Sequence, residues 1–102
     1  MAPSQLQIKT NALGRLLKES KLYQKEAEEQ QVRVDKLKAN SSDEYEIKKA
    51  VEVLEDTKQM VPEIRKKIVS TLEGLKAFVQ NESDEDKSAA FEKIAEAEKF
   101  LA

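Results

Sequence analysis

The sequence predicts an all-α protein, an antiparallel three-helix bundle with the form of an elongated, coiled-coil-like rod. Apolar residues recur at seven-residue intervals along two long segments, and a shorter apolar segment follows them. Only two prolines and two glycines occur in 102 residues, so the chain has few places to turn. Three apolar stripes bury one another most simply in such a bundle. The length favours a single domain over residues 1–102.

The first predicted helix runs from about residue 4 to about residue 38. Pro3 suits its start, because the missing N–H of proline is not needed there. Two rows of residues form a heptad-like stripe with polar interruptions. The rows are Leu6, Leu13, Ser20, Ala27 and Val34, and Lys9, Leu16, Tyr23, Gln30 and Leu37.

A polar cluster follows the first helix and predicts a turn. Asn40 can end the first helix, and Ser41 or Ser42 can cap the second, with Glu44 completing a capping box from Ser41. The heptads also permit an intermolecular coiled coil. Capped turns favour the intramolecular bundle over that alternative, although neither stripe excludes a dimer.

The second predicted helix runs from about residue 43 to about residue 80, with Pro62 inside it. Proline removes a backbone hydrogen bond and crowds the preceding turn, so the helix either ends there or is kinked. We favour a kink, because the seven-residue phase continues past Pro62 and no capping cluster surrounds it. The rows of this helix are Ile47, Leu54, Val61, Ile68 and Leu75, and Ala50, Thr57, Ile64, Thr71 and Phe78.

The third predicted helix is the shortest and runs from about residue 84 to residue 101. Ser83 can cap it, and the acidic residues 84–86 suit its positive N-terminal end. Small alanines permit it to approach the two longer helices closely. Its apolar face holds Ala90, Ile94, Ala97 and Leu101, with Phe91 alongside.

The composition excludes most kinds of catalytic and metal site. The chain has no His and no Cys, which excludes zinc fingers, thiol catalysis and a Ser-His-Asp triad. Two glycines are too few for a Gly-rich phosphate loop. We therefore expect no enzyme activity, no cofactor and no metal.

Charge and hydropathy argue against two classes of partner. The chain has 18 Lys and Arg and 20 Asp and Glu. It therefore lacks the surplus of cations that nucleic-acid binding requires. The longest apolar runs have three residues, whereas a membrane span needs about 20. No basic and apolar leader begins the chain, so we expect a cytoplasmic protein.

Several short blocks of residues follow one another in a specific order and spacing. The first segment holds Gln7-Ile8-Lys9-Thr10, Arg15-Leu16, Lys18-Glu19, Tyr23, Lys25-Glu26-Ala27 and Gln30. The second holds Tyr45-Glu46-Ile47-Lys48-Lys49, Val53-Leu54 and Met60-Val61-Pro62. Over about residues 5 to 65, these blocks resemble the tubulin-binding cofactor A family, also called tubulin-specific chaperone A.

The resemblance implies a three-helix protein that captures β-tubulin, as a folding intermediate or a free subunit. The family acts after the cytosolic chaperonin, with other tubulin-folding cofactors, on the pathway to the αβ-tubulin heterodimer. It implies a cytoplasmic, cytoskeleton-associated protein that is no enzyme and needs no nucleotide or metal. Two alternatives come from other classes: a structural three-helix spacer, and a generic helical holdase that binds many unfolded clients. The sequence leaves open whether the chain is a monomer or a homodimer.

The family blocks coincide with polar positions that we expect to be exposed. These positions are the candidate contacts to β-tubulin that the resemblance implies. Tyr45 has two possible roles, because it can pack against the first turn or face a partner. The candidates are Lys18, Glu19, Lys25, Glu26, Tyr45, Lys48, Lys49 and Glu52.

Overall fold

The structure is a computed structural model and describes residues 2–40, 43–82 and 85–102. Three helices make up most of these residues, and no strand occurs among them: α1 is Gln5–Ala39, α2 is Glu44–Asn81 and α3 is Ser88–Leu101. The all-α, three-helix prediction is confirmed, and α1 and α2 begin and end within one residue of their predicted bounds. The predicted caps Ser41, Ser42 and Ser83, and Asp84, lie outside the described residues.

A capping box begins α1. The backbone N–H of Gln7 donates to Ser4 Oγ at 3.1 Å, and the backbone N–H of Ser4 donates to Gln7 Oε1 at 2.9 Å. The pair satisfies two backbone donors that the helix itself leaves unpaired. The Ser4 hydroxyl also donates to the Glu85 carboxylate. This start was predicted from Pro3, whereas the signal of the capping box is the Ser-x-x-Gln pattern of Ser4 and Gln7.

The chain packs as two compact units. The three-helix unit comprises residues 2–19, 64–82 and 85–102, with residues from α1, α2 and α3. Its core consists of a small number of aliphatic side chains, three of which come from the apolar face predicted for α3. Phe91, which was predicted to lie alongside that face, is 55% exposed. The buried apolar residues are Leu6, Leu13, Leu17, Ile64, Ile68, Leu72, Leu75, Val79, Ala90, Ile94 and Ala97.

The three-helix unit buries positions that the heptad rows did not include. Thr10, Leu17, Leu72 and Val79 are buried, and each follows a predicted row position by one residue. The row positions themselves, Lys9, Leu16, Thr71 and Phe78, are only half-buried. A third helix covers a second side of each long helix, so the buried stripe is wider than a two-helix seam.

The two-helix unit comprises residues 20–40 and 43–63, from α1 and α2. Ser20, Val34 and Leu54 are buried. The other row positions are half-buried, because two helices shield one another on one side only. They are Tyr23, Ala27, Gln30, Leu37, Ile47, Ala50, Thr57 and Val61.

Pro62 lies within α2, which continues to Asn81. The alternative in which the second helix ends at the proline is therefore excluded. The kink remains a prediction. The exposed position of Pro62 keeps its ring away from the core.

The third helix begins at Ser88, four residues later than predicted. The carboxylate of Asp86 accepts hydrogen bonds from the Ser88 backbone N–H at 2.9 Å and from Ser88 Oγ at 2.6 Å. Such local bonds compete with helical hydrogen bonding and place Asp86 before the helix, not in its first turn. The Ser88 hydroxyl, followed by the backbone N–H, holds the pKa of Asp86 below its usual range, against a small opposing effect of desolvation.

Polar contacts connect α3 with α2, and a close approach of one side chain connects it with α1. Arg65 Nη2 donates to the Leu101 carbonyl oxygen at 2.8 Å, and Lys76 Nζ lies 3.6 Å from a carboxylate oxygen of Glu98. On the α1 side, the Lys93 side chain passes close to Gly14. A Cβ atom added at Gly14 would lie 3.4 Å from Lys93 Cε. These contacts orient α3 within the three-helix unit.

Candidate partner-binding surface

The predicted contact residues are accessible. Lys18 and Glu19 belong to the three-helix unit, and the other six belong to the two-helix unit. All are exposed except Glu19, which is half-buried. The structure therefore leaves the chosen side chains available to a partner.

Four of the predicted residues share one face of α2. Tyr45, Lys48, Lys49 and Glu52 are spaced by three, four and seven residues, which places them on consecutive turns. Tyr45 is 63% exposed, so its ring faces outward, where a partner can reach it. Lys49 Nζ lies 5.3 Å from the centroid of the Tyr45 ring, within the range of a cation–π interaction.

Glu26 belongs to a local polar chain on α1. Its carboxylate accepts a long hydrogen bond of 3.5 Å from Gln30 Nε2. The Gln30 Oε1 atom is buried and has no hydrogen-bond partner among the described residues. Gln30 occupies a row position where α1 faces α2, so an amide lies in the seam of the two-helix unit.

A groove lies between α1 and α2 beside Tyr45, and we call it the Tyr45 groove. Its volume is about 440 Å³. Basic side chains from the two helices, Arg33 and Lys49, line it together with one acid, Glu46. The full lining is Gln30, Arg33, Tyr45, Glu46, Lys49, Ala50 and Val53.

Exposed apolar side chains continue from this groove along α2. Val53 is 51% exposed and Met60 is 40% exposed. Their seven-residue spacing places them on the same face of the helix. Apolar surface with a polar rim is typical of a protein-binding site.

Tyr45 and Lys49 are among the predicted contact residues, and the other groove residues are not. Arg33 and Val53 each precede a buried row position, Val34 and Leu54, by one residue. The missed signal was the polar cluster at residues 40–43, which predicts where the two helices reverse direction. Residues at equal distances before and after such a turn face one another across an antiparallel pair of helices. That rule places Arg33 opposite Ala50.

Within residues 2–40, 43–82 and 85–102, no group of three or more acidic side chains is arranged to hold a metal ion. In the same ranges, no helix has the length and apolar character needed to cross a membrane.

Comparison with known proteins assigns the family. Residues 1–101 match the family described as Tubulin binding cofactor A. The chain belongs to the tubulin-binding cofactor A family. The resemblance seen in the ordered blocks of α1 and α2 is confirmed, and the match extends through α3.

Relatives of known name and structure agree with this assignment. Tubulin-specific chaperone A of Saccharomyces cerevisiae is 44% identical over 103 residues, which cover 99% of this chain and 97% of the yeast protein. A solved structure described as a beta-tubulin binding post-chaperonin cofactor matches with a TM-score of 0.88 and 42% identity, covering 96% of this chain and 98% of that chain. The crystal structure of tubulin folding cofactor A from Arabidopsis thaliana matches with a TM-score of 0.81 and 29% identity, covering 92% of each chain.

Proposed function

We propose that this protein is a tubulin-folding chaperone that captures β-tubulin, as a folding intermediate or a free subunit, on the post-chaperonin pathway to the αβ heterodimer. One observation carries the proposal. The chain matches the tubulin-binding cofactor A family over residues 1–101, and a structural neighbour at 42% identity is described as a beta-tubulin binding cofactor. The protein acts in the cytoplasm beside other tubulin-folding cofactors, as a binding protein without a catalytic role.

Preformed helices supply the physical mechanism. An unassembled subunit exposes surface that promotes aggregation. Helices that are already folded cover such surface with a small loss of conformational entropy, because their backbone is ordered before binding. Charged residues make up 37% of the chain, and complementary charge increases the rate and the specificity of encounter.

The contact surface that we propose is polar and includes the eight accessible side chains predicted above. Its best-defined part is the α2 face that carries Tyr45, Lys48, Lys49 and Glu52. The cation–π contact between Lys49 and Tyr45 restricts both side chains before the partner arrives. A pre-ordered pair loses less side-chain entropy on binding than two free side chains.

The first experiment is size-exclusion chromatography with light scattering on this chain mixed with β-tubulin released from the chaperonin. Assembled αβ heterodimer and an unrelated unfolded protein are run in parallel. A one-to-one complex with β-tubulin alone supports the proposal. Equal binding to the unrelated protein indicates a generic holdase, and no complex with any of them indicates a spacer. The same trace reports whether the free chain is a monomer or a homodimer.

A charge-reversal pair tests the surface itself. The variant with Lys48→Glu and Lys49→Glu is compared with a matched control carrying Lys58→Glu and Lys67→Glu. All four lysines are exposed on α2, so both variants change the net charge equally. We expect the first variant to lose β-tubulin capture and the control to retain it. Equal capture by both variants contradicts the assignment of Lys48 and Lys49.

A further inference from the structure

We propose that the Tyr45 groove anchors the client by accepting an apolar side chain of β-tubulin that lies next to a carboxylate. The inference rests on the proposed function and adds the chemistry of the group recognised. It also adds Arg33, a residue that the family blocks did not indicate, and places Val53 in the lining of a site.

The groove has the size and lining of a site for a side chain. Its volume of about 440 Å³ falls within the range of roughly 300–1,000 Å³ typical of ligand sites. Ala50 and Val53 supply aliphatic surface, and the exposed ring of Tyr45 supplies a flat aromatic wall. Tyrosine and arginine in such positions are the residues that most often dominate binding energy.

The charge of the groove differs from that of its surroundings. Residues 20–63 contain eight Lys and Arg against eleven Asp and Glu, so the two-helix unit is acidic. The groove lining instead contains two cations, Arg33 and Lys49, and one anion, Glu46. A carboxylate on the client is therefore attracted to this groove and repelled by most of the surrounding surface. That contrast selects an acidic group over a basic one.

The two cations have complementary roles in this recognition. The guanidinium group of Arg33 can bind a carboxylate through two parallel hydrogen bonds, which fixes its orientation. Lys49 lies over the Tyr45 ring, with Nζ 5.3 Å from the centroid. The ring therefore keeps the ammonium group at the groove. An apolar side chain between them contacts the ring and Val53 while its neighbouring carboxylate pairs with the cations.

Single substitutions test the charge requirement in the full chain. The dissociation constant for β-tubulin is measured for Arg33→Glu, Lys49→Glu and the control Lys58→Glu, an exposed lysine of α2 outside the groove. We expect each groove variant to weaken binding roughly tenfold or more, and the control to change it about twofold or less. Circular dichroism confirms that all three are folded. Equal dissociation constants for the groove variants and the control overturn the inference while leaving β-tubulin capture intact.

Two substitutions of Tyr45 test whether its aromatic ring contributes to binding. We expect Tyr45→Phe to bind as the unchanged chain does, because the ring remains, and Tyr45→Ala to bind roughly tenfold more weakly. Equal binding by both variants excludes a role for the ring.

A labelled cysteine identifies what enters the groove. The chain has no native Cys, so a single introduced cysteine can carry one photo-crosslinker. The test variant is Val53→Cys, and the control is Val69→Cys in the three-helix unit. We expect the Val53 probe to link β-tubulin at a segment where an acidic residue adjoins an apolar one. Crosslinks only to segments without an acidic residue overturn the inference.

Loss of self-association in Arg33→Glu, with β-tubulin binding unchanged, also overturns the inference and assigns the groove to a second copy of the chain. If the unchanged chain forms no complex with β-tubulin, the proposed function fails as well.

Discussion

The side-chain nitrogen of Lys9 lies 5.5 Å from the centroid of the Phe78 ring, in the three-helix unit. Both residues occupy predicted row positions, where a lysine interrupts the apolar stripe of α1. The aromatic face attracts the ammonium group, and the aliphatic part of the lysine side chain covers apolar surface. A charged residue at this position is therefore compatible with packing between α1 and α2.

The Lys9–Phe78 contact predicts a measurable coupling. In a double-mutant cycle with Lys9→Met and Phe78→Leu, we expect a coupling free energy of about 0.5–1 kcal/mol in urea denaturation. The control cycle pairs Lys9→Met with Phe91→Leu, because Phe91 is exposed on α3. Equal couplings in the two cycles would show that the Lys9–Phe78 contact contributes nothing specific.

Ser20 predicts a stabilising substitution. Its side chain is fully buried and its Oγ has no hydrogen-bond partner among the described residues. We expect Ser20→Ala to raise the free energy of unfolding by about 1 kcal/mol, because it removes an unsatisfied hydroxyl. Thr10→Val provides the comparison: the Thr10 hydroxyl donates to the Leu6 carbonyl oxygen at 2.7 Å, so its loss yields no such gain. A destabilised Ser20→Ala variant would contradict the prediction.

The two glycines lie in different surroundings. A Cβ added at Gly74 meets nothing within 4 Å, so we expect Gly74→Ala to stabilise α2 by about 1 kcal/mol. Gly14→Ala should gain less, because its new Cβ contacts Lys93, whose Nζ lies 3.1 Å from Glu96. Thermal unfolding of both variants checks the order. A larger gain at Gly14 would refute it.

Pro62 lies inside α2, where its ring and its missing N–H are unfavourable for a helix. We expect Pro62→Ala to raise the free energy of unfolding by up to about 3 kcal/mol, because alanine restores the N–H bond to the Lys58 carbonyl and removes the ring. Urea denaturation measures this change, and a β-tubulin capture assay follows it. If the Pro62→Ala variant has a straighter helix and captures β-tubulin as the unchanged chain does, the predicted kink serves only the packing of α2.

Asp86 predicts a pH dependence confined to the start of α3. Its pKa is lowered in the folded chain by hydrogen bonds from Ser88. The associated stability is present above the unfolded-state pKa and is lost as the pH falls through the folded-state pKa. We expect NMR titration to show a midpoint below that of an ordinary aspartate, and Ser88→Ala to raise it. An identical midpoint in the variant would show that the Ser88 hydroxyl does not lower this pKa.

Local signals explain how much of the fold was predictable. The bounds of α1 and α2 followed from seven-residue periodicity and from the polar cluster between them, because both signals act over a few turns. The start of α3 was misplaced because the Asp86–Ser88 bonds compete with the helix. Acidic residues suit either side of a helix start. The groove was only half anticipated, since Tyr45 and Lys49 belong to family blocks and Arg33 does not.

The helical class, the family and the rows that pair α1 with α2 follow from the sequence alone, because each depends on spacing along one chain. The burial of Thr10, Leu17, Leu72 and Val79 follows from helix packing, because their cover comes from a third helix distant in sequence. Helix packing also brings Arg33 and Lys49 to one groove. Side chains far apart in sequence become neighbours only when their helices pack, and periodicity within one helix does not specify that contact.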